Sequence, residues 1–437
     1  MSVRCRRCFP SSHGRVPQVA SVLSHPLVEV GLRLIGLAAI AALGMSGGAC
    51  TALRYTNSTP FIEHHIRATD DGTFVSQFKA AVLYPARDIL TADLLWRLLF
   101  GDQAWNVENG RVADSSFFTD RAASDLSPER VGRGSHPERA PVQPFSVDKV
   151  KDTGATVGFF GTDAGGRKFL VKLDHPDFPE LGSSATLIAA RIYHALEYNV
   201  PETFLVTLSG TGDERFDGRL AVASPLIPDV QGHFQYDWFR YRREVRGLRL
   251  VAAWINDTDR TASNTLVSVQ DGVARYYLID FNSALGAWQG RPKEPWRGWR
   301  HAFGSPKLLL EVFTLGLVRP GFDADQPVVS PGVGRFDANF DPMTWTPQVA
   351  NTAFDHMTDD DRRWTVERIA RLGRPHLEAV VHAAGLSDPR DRAYLVDTLL
   401  ARQARILALA DVPSQESAIL GEPRASQAVD LVVHGDP

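Results

Sequence analysis

Trp254-Ile-Asn-Asp-Thr-Asp-Arg-Thr-Ala-Ser-Asn264, then Tyr276-Tyr-Leu-Ile-Asp280-Phe281-Asn282, is the stretch whose reading decides the fold. Upstream, Leu248, Val251, Ala252 and Ile255 recur at helical spacing and predict a helix from about Tyr241 to Ile255. That helix delivers the polar loop Asn256–Asn264, in which Asp259 and Asn264 are separated by four residues. A strand-like Thr265-Leu-Val-Ser-Val, the turn Gln270-Asp-Gly and a strand over Ala274–Ile279 follow, so Asp280 stands at a strand end. Taken singly these features are ordinary. An Asx-rich loop bonds its own backbone, and an Asp closes many strands. Taken in order, they place two carboxylates and an amide oxygen, all ligand types that suit Mg²⁺, around one hairpin.

Working outward toward the N-terminus, Thr156-Val-Gly-Phe-Phe160 and Lys168-Phe-Leu-Val-Lys172 read as two strands joined by Asp163-Ala-Gly-Gly166. Lys172 closes the second strand, and a helix is predicted some ten residues later. Ser183 and Ser184 are its candidate N-caps, Leu187, Ile188, Ile192 and Leu196 its apolar stripe, and Asn199 with Pro201 its stop. A lone strand-end lysine is usually a solvent-facing one. Phosphoryl transfer, however, needs a cation on nucleotide phosphates, oxygen ligands for Mg²⁺ and a residue that orients the acceptor hydroxyl. The order strand, lysine, helix, second helix, D-x4-N loop, hairpin and Asp-Phe supplies each of these in turn.

The bulk numbers narrow the field. The chain has 437 residues, 44% hydrophobic and 22% charged, and a net charge of -4, which gives no sign of nucleic-acid binding. All three cysteines (Cys5, Cys8, Cys50) lie in the first fifty residues, so the body holds no disulfide and no thiolate metal site. Residues 1–50 carry five arginines against one acid, then the apolar run Leu34–Leu43 and small residues up to Cys50. This reads as a secretory leader. The run is short for a bilayer span. Small residues before Cys50 also resemble a lipobox, although Gly47 stands where that pattern prefers leucine. Lipidation at Cys50, ordinary cleavage and an uncleaved anchor are the three outcomes, each placing the protein at the cell envelope, exported or membrane-anchored.

The expected organisation is a leader over 1–50, an N-terminal extension and linker over 51–144, a small lobe over 145–230, a large lobe over 231–411 and a loose tail over 412–437. In the extension, Ile89 to Leu99 carries a helical pattern, and residues 125–145 read as a linker or surface loop. Further helices are expected at about 306–315, 360–373, 375–384 and 389–410, the last opened by Asp388-Pro389. Asp359-Asp-Asp361 reads as capping and Trp254, Trp345 and Trp364 as core anchors. The adjacent His64-His65 diverge too far to share a metal.

On these residues the chain resembles the protein-kinase-like superfamily, over roughly residues 105–405. Trp254–Asn264 looks like the D-R-H-x-x-N loop of the phosphatidylinositol kinases, and Leu278-Ile-Asp-Phe281 like their metal motif. Pro179–Glu202, Asn106-Val-Glu-Asn109 and Asp114–Asp120 are similar to bacterial kinase-like envelope proteins and, more distantly, to HipA-type kinases. The resemblance implies an α+β, two-lobed kinase-like fold with a small β-rich N-lobe and a helical C-lobe. It implies Lys172 on phosphate, Asp259 as catalytic base, and Asn264 and Asp280 on Mg²⁺, with Lys151 and Gly158 near the nucleotide phosphates. The activity it implies is an ATP- and Mg²⁺-dependent phosphotransferase acting on an unidentified protein or small-molecule acceptor. The departures are Asp257 where that bacterial group shows histidine, Asn282 for glycine after Asp-Phe, no G-x-G-x-x-G loop, and Thr186 where a lysine-pairing glutamate is expected, with Glu180 as its only substitute. They keep open a pseudokinase binding or scaffold protein, and nucleotidyl transfer is a third reading. An outward leader also sits uneasily with cytoplasmic ATP.

Overall fold

The computed structural model describes residues 67–90, 102–108, 111–121, 126–152, 154–302 and 322–410. The leader with Cys50, His64-His65, Leu94–Leu99, the helix expected at 306–315 and the tail over 412–437 lie outside them.

A five-stranded antiparallel sheet forms the smaller lobe. Its strands are β1 (Ser146–Val150), β2 (Gly158–Thr162), β3 (Lys168–Leu173), β4 (Phe204–Thr207) and β5 (Leu220–Pro225), in spatial order β1-β2-β3-β5-β4. Period-two alternation sets its faces. Phe169, Val171 and Leu173 of β3 bury with Phe145, Phe159 and Phe216, while Lys168, Leu170 and Lys172 face the other way. Lys172 therefore leaves the sheet on the face away from this small core.

Between β3 and β4 runs α1 (Leu181–Ala195). Its expected caps are corrected. Ser183 and Ser184 lie inside the first turn, and Glu180 precedes the helix in left-handed backbone without a side-chain cap. The capping is done from β3's end. Asp174 accepts from the Glu180 N–H (2.9 Å), the Ser183 N–H (2.8 Å) and the Ser183 hydroxyl (2.6 Å). A carboxylate seven residues before the helix thus meets donors that the helix's own first turn leaves orphaned. The helix also stops earlier than Asn199: Ala195 is its last residue, and Glu197 turns the chain with φ 78°.

The larger lobe packs helices around α2 (Arg243–Trp254). Below it lie α3 (Asp359–Ala370), α4 (Arg374–Ala383) and α5 (Pro389–Leu407), close to their expected positions. Asp361 completes a capping box with Thr358, and Asp388 caps α5. Trp254, Trp345 and Trp364 are buried. The C-terminal carbonyls of α2 are held from α5, where Arg402 donates to Ala253 O and Trp254 O, each at 2.6 Å. The loop leaving α2 therefore starts from a fixed point. A three-stranded sheet completes the lobe, with β6 (Val230–Gly232), β7 (Thr265–Gln270) and β8 (Val273–Leu278) in order β8-β7-β6. Its β7–β8 hairpin turns through Asp271 and Gly272, both at positive φ, as Asp-Gly hairpins do.

The expected α+β class, a small β-rich lobe joined to a larger helical one, is what the structure shows. The linker expectation fails. The stretch read as linker contains a helix over Pro128–Arg133, with Val131 buried and Gly132 against Ala379 of α4. Phe117 and Phe118 upstream are buried too, Phe117 stacking on Tyr276 at 4.4 Å. Proline and glycine there mark a cap and a close approach between helices, which composition alone reads as looseness.

Candidate active site at the seam between the lobes

The candidate residues arrive from three directions. Lys172 comes from β3, Asp259 and Asn264 from the loop after α2, and Asp280 from the end of β8. Lys172 Nζ lies 2.8 Å from Asp280 Oδ1, with both side chains mostly shielded from solvent. Burial pushes the Asp280 carboxyl up, but Lys172, with Arg260 and Lys151 beyond it, outweighs burial and holds the group below its usual range. Lys151, at the end of β1, donates to Thr156 O at 3.0 Å. Burial and the charge of Lys172 lower its pKa, and Asp280 opposes them. Lys172, Lys151 and Asp280 thus form one charge cluster.

Asp259 sits beside that cluster, half-buried. Its pKa is pushed up to about 7, chiefly by burial and then by Asp280 and Asp257, against the pull of Arg260 and Asn264. A carboxyl poised near neutral pH is matched to general-base work. The Asn264 amide nitrogen donates to Asp259 O at 2.7 Å, so its amide oxygen is the atom left to offer a metal. Gly158 pairs with Lys172 across the β2–β3 ladder. A Cβ there would lie 2.2 Å from Val171 O, so close strand approach accounts for this glycine.

Several organising residues escaped the sequence reading. Arg260 is fully buried: its Nε meets Asp257 Oδ2 at 2.8 Å, its Nη2 donates to Ile279 O and Asp280 O at 2.9 Å, and it lies over the Phe281 ring. Asp280 adopts φ 57°, a strained value for a residue with a Cβ. Arg260 clamps the carbonyls on both sides of that strain, which is how such backbone persists. Tyr193 of α1 donates to Asp257 Oδ2 at 3.0 Å and so ties α1 to the loop. Asp257, noted only as a departure, is the hub of this network. Lys293, also fully buried, donates to Asn256 O and, at 2.8 Å, to Leu285 O, joining the loop's start to the segment after Asp280. Burial drives its pKa far down. The Arg-after-Asp pairing of Asp259-Arg260 was a legible signal, whereas nothing in sequence marks Tyr193 or Lys293.

The departures also have physical readings. Thr186 turns its hydroxyl back to Gly182 O at 2.7 Å. The suggested substitute is corrected: Glu180 accepts from the Ser387 N–H at 3.0 Å, and the anion found on Lys172 is Asp280. Asn282 donates to Thr156 Oγ1 at 2.8 Å, so the residue in glycine's place fastens the β1–β2 loop over the seam.

Among the described residues no group of three or more His, Cys, Asp or Glu side chains gathers to hold a metal alone. Mg²⁺ bound with nucleotide needs only one or two carboxylates, because phosphates and waters fill the rest of its shell. Asp280 and the Asn264 amide oxygen fit that demand.

No family model and no curated protein matches the chain by sequence. Among solved structures it is similar to the proinflammatory kinase CtkA of Helicobacter pylori, at 12% identity and TM-score 0.37 over 62% of this chain and 97% of that one. It is also similar to a golgi casein kinase, at 11% and 0.32 over 83% and 97%. A third likeness is to HipA in its complex with HipB and operator DNA from Shewanella oneidensis, at 10% and 0.31 over 64% and 72%. At these values none of them carries a residue role to this chain.

Proposed function

We propose that this protein is an ATP- and Mg²⁺-dependent phosphotransferase, an atypical kinase, working at a bacterial envelope. One observation carries the reading: Lys172 and Asp280, which lie on separate elements, meet in a 2.8 Å ion pair, and Arg260, next to Asp259 in the loop after α2, donates to Asp280 O at 2.9 Å. In this reading the phosphates of ATP lie on Lys172, with Lys151 at the edge of the same field. Bound Mg²⁺, held by Asp280 and Asn264, would add positive charge on the phosphate oxygens. Asp259 accepts the proton of the acceptor hydroxyl as its oxygen bonds to the terminal phosphorus and ADP departs. Arg260 and Lys293 act through others, by fixing the backbone that presents Asp259 and Asp280. The envelope assignment comes from the leader and Cys50. Among the described residues no helix is long and apolar enough to cross a membrane, and the leader lies outside them.

One observation favours the rival reading. Lys172 is paired with the proposed metal ligand itself, and no acid of α1 reaches it. A pseudokinase scaffold would tolerate that arrangement. Calorimetry of Mg-ATP on the full chain, wild type beside Asp280→Ala, separates the two. The enzyme reading expects binding that falls at least tenfold in the variant. A folded wild-type protein that takes up no Mg-ATP leaves the scaffold as the account. Where an acceptor is modified, a mass increment of one phosphate rather than one nucleotide separates phosphoryl from nucleotidyl transfer.

A further inference from the structure

Arg191 and His194 are three residues apart and share a face of α1, opposite to the one from which Tyr193 reaches Asp257. That face lines a second cleft, of about 330 Å³ with its mouth included, between α1, the turn after the Pro128–Arg133 helix and the start of β4. The Arg191 guanidinium is largely buried against Gly134, and neither its Nε nor its Nη1 has a hydrogen-bond partner. A buried cationic donor without an acceptor is costly to keep, so its persistence points to an anion it receives from outside.

The neighbourhood is cationic. Arg133 lines the same cleft, Arg121 donates to His194 O at 2.8 Å, and His136, also in the lining, lies 3.1 Å from Glu138 Oε1 and 4.0 Å from Glu202 Oε1. Burial, followed by Arg121, His136, Arg130 and Arg191, drives the His194 pKa down to about 4. Among the described residues, the single acid in the lining is Glu202. Its Oε1 is taken by Arg139 at 2.9 Å, and its buried Oε2 has no partner. An orphaned donor and an orphaned acceptor in one cleft select for a group that carries both complements. Hydrogen phosphate does, since its charged oxygens accept and its protonated oxygen donates, whereas sulfate at neutral pH only accepts.

We propose that this cleft binds a phosphate group that carries one proton, either as free hydrogen phosphate or as the monoanion of a small-molecule phosphomonoester, with Arg191 on its charged oxygens, Arg133 at the rim, and Glu202 on its protonated oxygen. The site is separate from the Lys172 cluster and stands whether or not the chain is a kinase.

The test is a calorimetric titration of the full chain with inorganic phosphate, glycerol phosphate and sulfate, without nucleotide. Histidine-ring NMR runs alongside. Inorganic phosphate should bind at least tenfold more tightly than sulfate, and the His194 ring should move toward an ordinary pKa as the anion arrives. Arg191→Met should weaken phosphate at least tenfold, and Lys172→Met should leave it unchanged. Glu202→Gln should erase the preference over sulfate. Tighter binding of glycerol phosphate than of inorganic phosphate identifies a phosphomonoester as the ligand, and the reverse identifies free phosphate. The His194 response in the wild-type protein decides the matter even if Arg191→Met fails to fold. Phosphate that leaves His194 unmoved, or binding lost in Lys172→Met and kept in Arg191→Met, overturns the proposal.

Discussion

Asp259 carries the sharpest consequence at the scale of the residue. A base with a pKa of about 7 is half-protonated at neutrality, so kcat/KM should climb with pH and level off above about 7. Asp259→Asn should lose on the order of 10²–10⁴ in rate and flatten that profile. The same shift has a stability sign. The folded pKa is raised above the ordinary carboxylate range, so ionising Asp259 costs nothing below about 4, and the penalty grows until it is complete above about 7. The melting temperature of Asp259→Asn, relative to wild type, should therefore rise between pH 4 and pH 8. A flat difference across that range would show that Asp259 ionises normally.

Among the elements, α1 is the one whose start is built from outside itself. Asp174 is 7% exposed, and its burial, which raises its pKa, is opposed by the donors from Ser183 and Glu180. Asp174→Ala would orphan two N–H groups and a hydroxyl, for a loss of about 2 kcal/mol in denaturant unfolding. Because Asp174 also ties α1 to the strand bearing Lys172, Mg-ATP affinity should fall with it. A variant as stable as wild type would mean that water replaces the carboxylate. The Ser183 and Ser184 assignment failed for a local reason. Serines close to a helix start are natural caps, but a carboxylate on the preceding strand reached the same donors first.

For the whole molecule the question is what keeps the segments around the seam in one arrangement. Glu197, 1% exposed, receives Arg368 of α3 at 3.1 Å and Arg371, just past the end of α3, at 3.0 Å, and it accepts from the Arg121 N–H at 3.2 Å. It joins the end of α1, the helical lobe and the stretch that carries Phe117 and Phe118. Glu197→Gln keeps the shape and removes the charge. The expected cost is about 2 kcal/mol, the low side for a broken buried pair because both arginines reach solvent. Chemical unfolding should show a lower midpoint at an unchanged slope. A reduced slope would mean instead that the segments come apart before the rest unfolds.

Much of the fold is legible in the sequence. Period-two and 3.6 patterns placed β2, β3, α2 to α5 and the β7–β8 hairpin, because each buries one face against the core and the chain writes that face at fixed spacing. The order of Lys172, Asp259, Asn264 and Asp280 in the sequence already named the residues that gather at the seam. Only the tertiary structure decided that Asp280, rather than Glu180, sits on Lys172, and that Arg260 clamps the strained backbone there. It also decided that Tyr193 and Lys293 brace the loop, and that Arg191 and Glu202 are left without partners in a separate cleft. The physical reason is common to all of these. A periodic pattern records which way a side chain points along its own element, whereas an ion pair, a clamp or an orphaned donor depends on which distant element folds against it.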